Sequence, residues 1–199
     1  MEEIFTNIYE NSIWGTNNNS EYKGSSGGGS EIDYNKNTYI PFIQKFILDN
    51  QIKTIVDLGC GDFKCGPLIY DNLDILYTGY DAYNKIIQYN SKQHSISKYN
   101  FIHLDFYNKK ENIINSDLCI LKDVLQHWKM NEIYLFLDYL IDTKKFKYIL
   151  LCNCCNQKEN DPINNGRSTP LSINFFPLKK YNPIKLYTFH SKEISVITI

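Results

Sequence analysis

Apolar positions in this chain follow two rhythms. Ile4, Phe5, Ile8 and Tyr9 recur at helical spacing, and so do Ile40, Phe42, Ile43, Phe46 and Ile47 within a helix expected over 38–50. Short, nearly continuous apolar runs follow at 52–58, 75–80, 101–104, 117–121 and 148–152. Runs of that length are the mark of strands buried on both faces, as in parallel sheets. Helical patterns fill the gaps at 66–72, 85–92 and 131–141, the last carrying Ile133, Tyr134, Leu137, Leu140 and Ile141. Residues 184–189 and 194–199 read as a hairpin around His190-Ser191-Lys192-Glu193. Strands alternating with helices, then a closing hairpin, predict an α/β fold: a doubly wound, mostly parallel sheet with a C-terminal antiparallel hairpin.

The first strand runs into Ile55-Val56-Asp57-Leu58-Gly59-Cys60-Gly61-Asp62-Phe63. Glycines there let the backbone turn sharply and approach a ligand with no Cβ in the way. The carboxylate ahead of them decides between ligands. A pyrophosphate cofactor wants a helix N-terminus and no negative charge nearby, whereas Asp57 suits a cofactor with an ammonium or sulfonium. Lys64 stands where a dinucleotide fingerprint needs its third glycine. Two more carboxylates, Asp81 and Asp105, end the second and third strands. In doubly wound sheets ligands lie outside the carboxyl ends of strands. Asp81 is placed to accept hydrogen bonds from a ribose diol, and Asp105-Phe106 offers an acceptor and an apolar edge to adenine.

Composition narrows the partners. With 21 basic and 22 acidic residues the net charge is −1, so no global basic surface draws nucleic acid. No leading apolar segment reads as a signal peptide, and no run approaches the roughly 20 apolar residues of a membrane span. Cys60, Cys65, Cys119, Cys152, Cys154 and Cys155 form no framework of spaced pairs, which predicts reduced thiols in a cytoplasmic protein. Cys152-Asn153-Cys154-Cys155 lacks the usual metal-ligand spacing, and no metal is expected.

Asp57-Leu58-Gly59-Cys60-Gly61 resembles the first motif of class I S-adenosylmethionine (SAM)-dependent methyltransferases, whose sheet is Rossmann-like. The resemblance covers about 52–152. It implies that Asp57, Gly59, Cys60 and Gly61 border the methionine part of SAM, with its product S-adenosylhomocysteine (SAH) in the same place. It further implies that Asp81 holds the ribose, that Asp105 and Phe106 meet adenine, and that the backbone near Lys122 faces the methionine amino group. Asn11-x-x-Trp14-Gly15, Ser26-Gly27-Gly28-Gly29-Ser30 and the downstream Asn160-Asp161, Gly166-Arg167 and Asn174-Phe175-Phe176-Pro177-Leu178 resemble a small group with an N-terminal Ser-Gly-x-Gly-Ser segment. Many members of that group act on small polar acceptors. Two domains follow: an N-terminal lid or substrate segment at 1–37, and the methyltransferase domain at 38–199. Composition alone would make 24–30 a flexible Gly/Ser linker, and the resemblance favours a native segment over it.

For the chemistry, Lys122-Asp123-Val124-Leu125-Gln126-His127-Trp128 leaves the fourth strand on the cofactor side. Asp123 and His127 are four apart, so one helical turn would pair them and orient the imidazole as a general base. His94 and His103 lack an acidic partner at helical spacing, and His190 sits in an expected turn. Arg167, the only arginine, lies in a polar loop and offers a planar fork to an acceptor. Trp14 and Tyr22 are candidate walls of an acceptor pocket. The function expected is methyl transfer to a hydroxyl of a small polar acceptor, a sugar or nucleotide-sugar. The alternatives are an RNA (cap-type) methyltransferase and a catalytically silent SAM-binding module.

Overall fold

The computed structural model describes residues 1–156 and 168–199. Helices are α1 (Glu2–Glu10), α2 (Ile32–Asn35), α3 (Tyr39–Asp49), α4 (Gly66–Tyr70), α5 (Asn84–Gln93) and α6 (Met130–Thr143). Strands are β1 (Thr54–Leu58), β2 (Leu76–Asp81), β3 (Tyr99–His103), β4 (Ser116–Lys122), β5 (Phe146–Cys154), β6 (Ile184–Phe189) and β7 (Lys192–Thr198). They form a seven-stranded mixed sheet, ordered β3-β2-β1 in one compact unit, Met1–Asn112, and β4-β5-β7-β6 in a second, Ile113–Ile199. The fold is the doubly wound, mostly parallel one that the alternation of patterns predicts. No helix among the described residues is long and apolar enough to cross a membrane.

In the first unit β1, β2 and β3 pair in parallel, with Asp57 opposite Gly79 and Asp81 opposite His103. Ile55, Val56 and Leu58 are buried, as continuous apolar runs require of an inner strand. Ile40, Ile43 and Ile47 of α3 and Ile86 and Ile87 of α5 supply apolar helix faces. The stretch read as either linker or lid is built into this unit. Gly28–Ser30 forms a 3-10 turn and α2 follows directly. The Asn35 side chain ties that corner by donating to the Gly29 and Glu31 carbonyls at 2.9 and 2.7 Å. No apolar periodicity announces these turns, because polar and glycine contacts hold them.

In the second unit β4 pairs parallel with β5, and β5 and β6 both pair antiparallel with β7. Ile133, Phe136, Leu137 and Leu140 of α6 are fully buried, and Lys144 ends that helix in the left-handed region. The hairpin is tighter than its sequence suggests. Phe189 is in register with Lys192, so His190 and Ser191 alone make the turn, with His190 at φ 50°. Lys192 and Glu193 are therefore the first residues of β7, and both are buried.

Candidate functional site

The turn after β1 is built from two left-handed glycines, Gly59 at φ 85° and Gly61 at φ 55°. The Gly59 and Cys60 amides both donate to the Tyr80 carbonyl, at 2.8 and 3.0 Å, which folds the turn over the end of β2. There the Asp81 carboxylate accepts the Gly61 amide at 3.0 Å and the Tyr83 amide at 2.9 Å. Asn90 of α5 fixes the other side of Gly61, donating to its carbonyl at 2.7 Å. Burial pushes the Asp81 carboxyl above the ordinary range, and the amide hydrogen bonds work against that. The Ala82 amide adds a third backbone donor, against about four lone-pair sites on the two oxygens.

The neighbouring carboxylates have protein partners as well. Asp57 accepts the Tyr77 hydroxyl at 2.8 Å. Asp105 accepts the Glu2 amide at 3.0 Å and the Asn108 side chain at 2.8 Å, and the Met1 amino group lies 3.1 Å away. Burial would raise the Asp105 carboxyl, but these donors outweigh it and hold it below its usual value. Phe106 beside it is buried. The acceptor expected to meet adenine thus already receives hydrogen bonds from the start of α1.

Residues 9–31 pack against this turn. The Ser26 hydroxyl accepts the Asp62 amide at 2.9 Å and lies 2.9 Å from the Tyr9 hydroxyl. Tyr9 stacks on Tyr83, and Trp14 meets Tyr9 edge-on at 5.9 Å. Tyr22 is buried in the same cluster, against Tyr89. Glu10 accepts the Tyr83 hydroxyl at 2.8 Å and Lys85 at 2.6 Å. Trp14 and Tyr22 therefore pin the N-terminal segment to the glycine turn and α5.

In the second unit, polar side chains gather at the carboxyl ends of β4 and β5. Lys122 ends β4, in register with Cys152. Asp123 follows at φ 61°, and its amide donates to the Cys152 carbonyl at 2.8 Å. Its carboxylate takes Lys122 Nζ at 2.9 Å on one oxygen and Lys192 Nζ on the other. Burial would raise the Asp123 carboxyl, yet the two ammonium groups hold it below the usual range. Lys192 also lies 3.6 Å from Cys154 Sγ. The helical turn expected to pair Asp123 with His127 is not formed. Asp123 is left-handed and precedes the 3-10 turn Leu125–His127, and its carboxylate goes to lysines. His127 is buried beside Gln126, whose side-chain oxygen accepts the Cys154 amide at 2.9 Å. Arg167 lies outside the described residues.

No protein-family model matches the chain, and no curated protein does. Solved structures match its fold. The methyltransferase domain of bacterial CtHen1 superposes with a TM-score of 0.64 at 10% identity, over 85% of this chain and 100% of that one. The DhpI–SAH complex gives 0.61 at 10% identity, over 82% and 88%. Magnesium protoporphyrin IX methyltransferase (ChlM) from Synechocystis PCC 6803 with bound SAH gives 0.56 at 13% identity, over 79% and 80%. This chain has the fold of the class I SAM-dependent methyltransferases.

Sequence reasoning missed Tyr9, Ser26, Tyr83 and Lys192. Tyr9 reads as an ordinary apolar helix position, Tyr83 falls between the expected elements, and Ser26 reads only as part of the Ser26-Gly27-Gly28-Gly29-Ser30 segment. Lys192 did leave a signal: it stands two residues from Ile194 and four from Val196, on one face of a strand. Its removal tests the cluster. Lys192→Met is expected to destabilise the protein by about 3 kcal/mol, the low end of the ~3–5 kcal/mol for breaking a buried pair, because Lys122 still faces Asp123. Adding Asp123→Asn should recover part of the loss in urea unfolding. The Asp123 contribution is complete above the ordinary carboxylate pKa of about 3.9 and is lost as pH falls through its lower folded value. A Lys192→Met midpoint equal to wild type would show that the pair carries no stability.

Proposed function

We propose that this chain is a SAM-dependent methyltransferase that modifies a hydroxyl of a small polar acceptor, a sugar or nucleotide-sugar by preference. The observation that carries the reading is the Asp81 carboxylate, buried at the end of β2 and held by the Gly61 and Tyr83 amides under a Gly-x-Gly turn. A buried carboxylate aimed by backbone amides at a strand end suits the hydroxyl donors of a vicinal diol. Asp57, Gly59, Cys60 and Gly61 would line the methionine end of the cofactor, Asp81 its ribose and Asp105 and Phe106 its adenine, with the backbone at Lys122 toward the amino group. Asp105 fits less simply, since an adenine amino group would share it with the Glu2 amide.

The bound cofactor would supply an activated methyl group. The protein's own part is to hold an acceptor oxygen in line and to take its proton. His127 remains the candidate base, at the polar end of β4. Asp123 pairs with Lys122 and Lys192, so it does not serve as the orienting partner of this histidine. Trp14 and Arg167 remain candidate acceptor contacts, whereas Tyr22 is buried against Tyr89 and serves packing. A net charge of −1 supports a small acceptor over RNA.

Calorimetry with SAM and SAH tests the reading directly. Asp81→Ala should weaken both by about 1.5–3 kcal/mol, the value of a hydrogen bond to a charged group, and unchanged affinity would remove the ribose assignment. The pH dependence has a definite sign. Ribose donors favour the ionised carboxylate, while burial in the protein alone favours the neutral one. SAH affinity should therefore fall as pH drops through the raised Asp81 pKa, and binding in that window should release a proton. Buffers of different ionisation enthalpy would give the same observed heat if no proton moves.

Turnover on an acceptor found by screening nucleotide-sugars tests the base. His127→Ala should leave SAH affinity intact and cut turnover by roughly 10²–10⁴. Normal turnover in that variant would make His127 structural.

A further inference from the structure

Tyr9 sits in the last turn of α1, yet it closes a ring of contacts around the glycine turn. Its ring stacks on Tyr83, with centroids 4.6 Å apart and planes 9° from parallel. Its hydroxyl lies 2.9 Å from Ser26 Oγ, which accepts the Asp62 amide at 2.9 Å. The next amide back, that of Gly61, donates to Asp81, and so does the amide of Tyr83. The ring therefore runs from Tyr9 through Ser26, the Gly61-Asp62 backbone and Asp81 to Tyr83 and back to Tyr9.

The fit inside this ring is tight. A Cβ placed on Gly61 would stand 2.6 Å from Ser26 Oγ and 3.7 Å from the Tyr9 hydroxyl. A Cβ on Gly24 would stand 2.5 Å from the Tyr9 carbonyl oxygen. Two glycines far apart in sequence, both with positive φ, are thus needed for the segment and the turn to meet. Tyr9 is 3% exposed, so its hydroxyl makes this contact away from water.

We propose that Tyr9 and Ser26 belong to the nucleoside-binding site. Ser26 fixes the Asp62 amide next to the Gly61 amide, and Tyr9 packs on the ring of Tyr83, whose own amide meets Asp81, so docking of residues 9–30 and binding of an adenosyl nucleoside through its ribose diol favour each other. The inference rests on the SAM-binding reading and adds to it the residues through which the N-terminal segment acts. Coupling of this kind is reciprocal: the factor by which docking tightens the nucleoside is the factor by which the nucleoside tightens docking.

The test uses the full chain with SAH and adenosine as probes. Tyr9→Phe and Ser26→Ala should each weaken both ligands about three- to tenfold, as loss of one neutral hydrogen bond would. The loss should be equal for SAH and adenosine, because it arises at the ribose and not at the methionine. The double variant should lose no more than the worse single one, since both break the same ring. In wild type, SAH should slow amide hydrogen exchange across residues 9–30. Ser26→Ala carries the test alone if circular dichroism shows that Tyr9→Phe is unfolded. Wild-type binding of SAH with unchanged affinity in Ser26→Ala, or with unchanged exchange in 9–30, would overturn the inference and leave the cofactor reading standing. Failure of wild type to bind SAH would overturn both.

Discussion

The hydrogen bond from the Gly61 amide to the Asp81 carboxylate is the constraint on which the first unit is organised. It joins the turn after β1 to the end of β2, and it requires Gly61 to be left-handed. A side chain there would strain the backbone and strike Ser26. Once the turn is fixed, its carbonyl is presented to Asn90 of α5 and the Asp62 amide to Ser26. Helix, strand and N-terminal segment are thereby held by one short piece of backbone. The carboxylate is expensive to bury, and the amides around it offset that cost only while the turn keeps its shape.

Much of this was legible in the sequence for one reason: apolar periodicity reports what must be buried. The runs at 52–58, 75–80 and 117–121 became inner strands, and the 131–141 pattern became α6, buried at Ile133, Leu137 and Leu140 as expected but also at Phe136, with Tyr134 and Ile141 only part-buried. The carboxylates at strand ends were legible too, because polar residues that break an apolar run mark where a strand leaves the sheet. The hidden parts share a different cause. The Ser26–Asp62 contact joins residues 36 positions apart through a hydroxyl and an amide, and no periodicity encodes such a pair. Asp123 and His127 show the converse error. A spacing of four pairs side chains only on a continuous helix, and a left-handed residue at Asp123 removes that condition.

Lys192 shows how tertiary pairing overrides local preference. Placed in a predicted turn, a lysine belongs in water. The two-residue connection His190-Ser191 pulls it into β7 opposite Cys154, where its ammonium meets Asp123. An ion pair so placed is weak evidence for stability, because desolvating both partners costs about as much as their attraction returns. Replacement by apolar side chains of similar volume would serve packing as well. The Asp123 backbone at this pair is left-handed, at φ 61°, a region that Asp enters more readily than most residues.

The N-terminal segment makes the same argument from the opposite composition. Glycine and serine are poor at burying surface, and a Gly-Gly-Gly-Ser run suits a linker when nothing opposes it. Here small residues are what the geometry demands. Gly24 must pass the Tyr9 backbone and Ser26 must fit over Gly61, so larger side chains would hold the segment off the turn. The aromatic residues around the run, Tyr9, Trp14 and Tyr22, supply the apolar contact that the run itself lacks. Low complexity thus reflects close approach of two backbones, and the order of the segment follows from its neighbours and not from its own propensity.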